Sequence, residues 1–166
     1  MTVAVRPRRL AALLLTIALV AVVAGCSLPA YPHLAGPLSP SGTPVVLRLG
    51  GQAVTATLTG TPPSRQFAAM LPLTVQLTDA WGQAKAGPLP RSLAVGGGTP
   101  VHDPTRGEIY YWPSNGVIAV YYDDLGQTVP DPGLIRLGVV KTGLDRLAEA
   151  GRRVTVRIEP AAATGS

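Results

Sequence analysis

The chain has 166 residues, of which 14 are Lys or Arg and 9 are Asp or Glu, with one cysteine and two histidines. One thiol excludes an internal disulfide and a cysteine metal cage, and two histidines this far apart give neither a histidine-rich metal site nor a Ser-His-Asp triad. Three of the basic residues, Arg6, Arg8 and Arg9, and none of the acidic ones precede Cys26, which leaves 11 against 9 beyond it and no basic footprint for nucleic acid.

In chain order, residues 1–25 read as an export signal: the three arginines, an apolar run from Leu10 to Ala24, then small residues. The run is shorter than the ~20 apolar residues needed to span a bilayer, and no polar stop follows it. Val23, Ala24, Gly25 and Cys26 resemble the lipobox of bacterial lipoprotein signals, an aliphatic residue and two small ones before an acceptor cysteine. The resemblance implies cleavage between Gly25 and Cys26 and a diacylglyceryl thioether on the Cys26 sulfur. The lipid bilayer is then a partner through acylated Cys26. The expected location is the cell membrane, lipid-anchored and facing away from the cytoplasm, with the outer membrane as the alternative in a Gram-negative cell.

Residues 26–43 carry that cysteine and a tether with prolines at 29, 32, 37 and 40, a composition that gives a semi-rigid spacer. Residues 44–160 are enough for one small domain, and residues 161–166 read as a disordered tail. Within the domain, "VVLRL" (Val45 to Leu49) and "VTATL" (Val54 to Leu58) flank a glycine pair and predict a hairpin. "TPPSRQFAAMLP" predicts a short helix, with Pro62 and Pro63 in its first turn, Phe67, Met70 and Leu71 on one face, and Pro72 ending it. "LTVQL" (Leu73 to Leu77) alternates as a strand with one face in the core.

"GEIYYWP" and "GVIAVYYDD" predict aromatic-rich strands joined by a hairpin through "SNG". "LIRLGVV" predicts another strand, leading into "KTGLDRLAEAG", a helix with Thr142 and Asp145 in a capping box and Gly151 at its close. "RRVTVRIE" completes the set with Val154, Val156 and Ile158 on one face. About eight strands at this spacing, with glycine and proline turns and two short helices, predict a mainly β fold: a closed antiparallel barrel that leaves no exposed edge.

"LGVVKTGLDRL" (Leu137 to Leu147) resembles a cyclophilin segment, with Gly138, Val140, Gly143 and Leu144 matching. "GEIYYWPSNGVIAVYY" (Gly107 to Tyr122) is similar to small bacterial cyclophilin-like proteins. The resemblance spans nearly all of Val45 to Ile158 and implies an eight-stranded barrel capped by two short α-helices. Catalytic cyclophilins isomerise X-Pro bonds, stabilising the twisted amide with an arginine in a Phe-His-Arg strand followed by Gln-Gly-Gly-Asp. The matching strand here, "LTVQL", has neither His nor Arg, and no Gln-Gly-Gly-Asp occurs. No catalytic residue carries over. The expectation is a binding module for a peptide or small ligand, needing no cofactor, with a divergent prolyl isomerase as the alternative.

The candidate ligand-binding residues are Trp81 in the "DAWGQ" turn, Tyr111, Trp112 and Tyr122 from the aromatic strands, and the arginines Arg91 and Arg136. The period of two predicts that about half of Tyr110, Tyr111, Trp112, Tyr121 and Tyr122 point outward and can stack on a peptide or sugar ring. Arg106 reads as solvated, Asp123 and Asp124 as a turn, His33 as part of the tether, His102 as a loop residue, and "VGGGTP" as a flexible connection without the lysine of a phosphate cradle.

Overall fold

The computed structural model describes residues 42–162. The export signal, Gly25 and Cys26, the tether as far as Ser41 and the tail from Ala163 lie outside the described residues. Nine strands and two helices follow in the order β1 (Thr43–Leu49), β2 (Gln52–Leu58), α1 (Pro62–Ala68), β3 (Leu73–Ala80), β4 (Ala84–Pro88), β5 (Pro100–Val101), β6 (Glu108–Trp112), β7 (Val117–Tyr121), β8 (Leu134–Thr142), α2 (Leu144–Glu149) and β9 (Arg153–Pro160).

The strands are hydrogen-bonded in the order β2-β1-β9-β3-β4-β7-β6-β8, and β8 pairs back onto β2, so eight of them close a ring. Every pairing in it is antiparallel. The two-residue β5 adds to the start of β8 outside the ring. Strand β8 has to serve three partners, and register shifts at Thr55/Ala56 and at Ile109/Tyr110 supply the local bend that lets it do so. The closed eight-stranded antiparallel barrel with two short helices is therefore the fold of the described chain.

Alternation fills the barrel. Val45, Leu47 and Leu49 of β1, Val75 and Leu77 of β3, Ile109 and Tyr111 of β6, Ile118 and Val120 of β7, and Val156 and Ile158 of β9 form one buried cluster. Phe67 enters it from α1, which packs on β8 and β2. Ser64 ties that helix down by donating its hydroxyl to the Leu137 carbonyl at 2.8 Å. Helix α2 touches β2 and β4, strands on opposite sides of the ring, so it lies across one mouth of the barrel and lowers Leu147 into the core.

The structure corrects three sequence expectations. The capping box does not form, because the chain leaves β8 through Gly143 at φ 79°, and that glycine is the N-cap. Thr142 instead pairs its hydroxyl with Thr55 at 2.7 Å, and Asp145 accepts from Arg106 at 3.0 Å. Helix α1 stops at Ala68, so Met70 and Leu71 pack on the core from the turn after it. The third correction concerns the aromatics: Tyr110, Tyr111 and Tyr121 are all buried. The outer face of β6 and β7 carries a second core of Ala84, Tyr110, Ala119, Tyr121, Val129 and Leu134, covered by the segment leading into β8. Pointing away from the barrel axis there does not mean facing water.

Candidate functional site

On the outer face of β4, β7 and β6, the cross-strand register lines up three rows. Ala84 faces Tyr121, Ala86 faces Ala119, and Pro88 faces Val117, with Tyr110 and Trp112 continuing the last two rows on β6. Ala84, Ala86 and Ala119 offer only methyl groups while Tyr121 stands at one end and Val117 and Trp112 at the other, so the surface sinks between them. Gly87 lets β4 press close to β3, since a Cβ there would stand 2.1 Å from the Gln76 carbonyl. The result is a groove of about 270 Å³, floored by Ala80, Ala84, Ala86 and Ala119 and walled by Trp81, Trp112, Val117 and Tyr121.

The two tryptophans come from different hairpins and meet at the rim. Their ring centroids lie 6.0 Å apart with planes tilted by 52°. Trp81 is 62 % exposed and holds a left-handed backbone at φ 56°, a conformation costly for a bulky residue that the surrounding turn must enforce. Asp79 enforces it. One carboxylate oxygen of Asp79 accepts from the Gly82 amide at 2.9 Å, while the other accepts from Lys85 Nζ at 2.8 Å and the Tyr122 hydroxyl at 2.6 Å.

Lys85 is 1 % exposed, also donates to the Gly151 carbonyl at 2.7 Å, and lies 5.3 Å from the centre of the Tyr122 ring. The Lys85 hydrogen bond, followed by that of Tyr122, holds the Asp79 carboxyl down at about 2. Burial, followed by the hydrogen bond to the Asp79 carboxylate, pushes the Tyr122 phenol up to about 12. Both shifts favour the charge states that keep the turn closed at neutral pH.

Of the sequence candidates, Trp81 and Trp112 meet at the groove. Tyr111 is in the barrel interior, its hydroxyl accepting from the Leu93 amide at 3.2 Å, so the expectation that it offers a surface ring is corrected by the parity of β6. Tyr122 belongs to the Asp79 and Lys85 network behind the turn. Arg136 is on β8, paired with Glu108 at 2.7 Å, beside a depression lined by Thr59, Thr61, Gly98, Thr99 and Val101. Arg91 is exposed in the segment between β4 and β5. Arg106 bonds the Tyr122 carbonyl and Asp145.

His102 sets Nδ1 2.8 Å from the Val129 carbonyl, and the carboxylates of Asp123 and Asp124 accept from the Asp124 and Gly126 amides. Among the described residues no three His, Cys, Asp or Glu side chains converge as a metal site would require. Glu108 accepts the Tyr110 hydroxyl, and burial followed by this bond pushes Tyr110 up to about 12.

Sequence reasoning missed the groove floor and the Asp79–Lys85 pair, and it grouped Tyr121 with the aromatics without making it a candidate. The floor had a signal in "AKAGP", where small residues alternate ahead of a proline, but small residues also fill turns. The described residues lining the groove include no carboxylate, ammonium, guanidinium, imidazole or thiol. Such a surface can hold an apolar group against the indole pair. Its polar side chains are those of Tyr121 and Asn115 and the two indole N–H groups.

A family model described as the cyclophilin-like family matches residues 47–159. No curated protein matches the chain. Among solved structures, the solution structure of a hypothetical protein from Archaeoglobus fulgidus is similar, with a TM-score of 0.52 and 13 % identity over 75 % of this chain and 99 % of that one. At that identity the likeness concerns the fold alone.

Proposed function

Because the chain belongs to the cyclophilin-like family, whose fold supports a binding or isomerase-like module, we propose that this barrel is a non-catalytic binding module that takes up a peptide or small ligand in the Trp81–Trp112 groove. One observation carries this reading: the groove combines an apolar floor and two indole walls with no charged side chain among the described residues lining it. Stabilising a twisted prolyl amide calls for a guanidinium or a comparable donor against the developing charge. Arg136 is engaged by Glu108 on another part of the surface, and Arg106 by Asp145.

A protease-coupled prolyl-peptide assay tests the choice. The expected outcome is the uncatalysed rate at every protein concentration. Acceleration that disappears in Arg136→Ala or Arg91→Ala would establish the isomerase instead.

The same proposal gives the module its place. Cys26, in its lipobox-like setting, is lipidated and anchors the domain to the outer face of the membrane through the proline-rich tether. Intact-mass measurement on the membrane fraction is expected to find a chain beginning at Cys26 and heavier by a diacylglyceryl group.

A further inference from the structure

Tyr121 is 2 % exposed and lines the groove. Its ring stands edge-on to Tyr110, with centroids 5.6 Å apart at 89°. Each neighbouring tyrosine hydroxyl has a protein partner: that of Tyr110 donates to Glu108, that of Tyr122 donates to Asp79, and that of Tyr111 accepts from the Leu93 amide. The Tyr121 hydroxyl makes no hydrogen bond with the described residues. It is not sealed in either, because no buried side-chain N or O atom among those residues is both cut off from solvent and unpartnered.

We propose that the Tyr121 hydroxyl is the specificity-determining donor of the groove, and that the ligand is a small neutral ring compound bearing a carbonyl acceptor. The inference rests on the reading of the groove as a binding site, and three features select the ligand class. A volume of about 270 Å³ admits one ring-sized group rather than a larger molecule. The tilted indoles offer π faces to the edge and face of such a ring. The uncharged lining leaves an ionic ligand desolvated without a counter-charge, whereas a carbonyl oxygen meets a hydroxyl that otherwise stays poorly solvated. The ring seats against the paired tryptophans over the alanine floor, and its oxygen accepts from Tyr121.

Three probes of similar shape test this by NMR titration of the full chain, following its two tryptophan indole N–H signals: acetophenone, ethylbenzene and benzoate. Acetophenone is expected to bind about threefold to tenfold more tightly than ethylbenzene, the net worth of one neutral hydrogen bond, with benzoate weakest. Tyr121→Phe is expected to bring the ratio of the two neutral probes to one. A wild-type ratio near one, a ratio that survives Tyr121→Phe, or tightest binding by benzoate would overturn the assignment while leaving the groove a binding site. If neither neutral probe moves the indole signals, the binding reading falls with it. Should Tyr121→Phe not fold, the wild-type ratio alone decides.

Discussion

At the scale of single residues, Asp79 does most to shape the site, although it does not line it. Its carboxylate joins the Gly82 amide, Lys85 and the Tyr122 hydroxyl. Its depression from 3.8 to about 2 means that the stability it contributes is fully present above its unfolded value and is lost as pH falls through that window. The shift corresponds to about 2 kcal/mol. Acid-unfolding curves of wild type and Asp79→Asn should therefore converge by that amount as pH falls from 4 to 2. Asp79→Ala is expected to cost about 3 kcal/mol in urea at pH 7, because it leaves the buried Lys85 ammonium without its counter-charge. The Tyr110 and Tyr122 phenols, raised to about 12, behave in the opposite sense: their contribution is present below the ordinary 10 and is lost as pH rises toward 12. A phenolate absorbance titration should show both ionising well above an exposed tyrosine.

At the scale of elements, the β3–β4 hairpin turns through two left-handed residues, Trp81 and Gly82, and the β8-to-α2 corner closes a barrel mouth through one, Gly143. Gly143 has φ 79°, and a Cβ there would approach the Ala53 carbonyl to 3.0 Å. Gly143→Ala should cost about 1–2 kcal/mol or more in thermal unfolding. The alternating strands were legible in the sequence because each buries one face in the barrel, and Val45, Leu47, Val75, Leu77, Val156 and Ile158 all sit where the period of two places them. Strand β4 was not legible. Its inward Lys85 breaks the apolar pattern, and its Ala84, Ala86 and Gly87 look like turn residues until β7 is laid against them. The tyrosines misled for a related reason: a sequence tells which residues share a face, but not that a later segment will cover the outer one, as Val129 and Leu134 do here. Trp81 and Trp112, 31 positions apart in sequence, could be singled out individually but not paired, since their meeting depends on β4 and β7 lying between them.

At the scale of the whole molecule, closure of β8 onto β2 leaves the ring without a free edge, and the proposed ligand recognition falls to side chains on its outer face. On the proposed reading the Trp81–Trp112 groove binds a neutral apolar ligand without turning it over. A thermal-shift screen of the full chain, run in parallel with Trp112→Ala, tests it most directly. A ligand held at a hundred times its Kd stabilises the native state by about 2.7 kcal/mol. A saturable rise in Tm with uncharged ring compounds, vanishing in Trp112→Ala, is the expected result. A rise of the same size in both proteins, or none with any such compound, would contradict it.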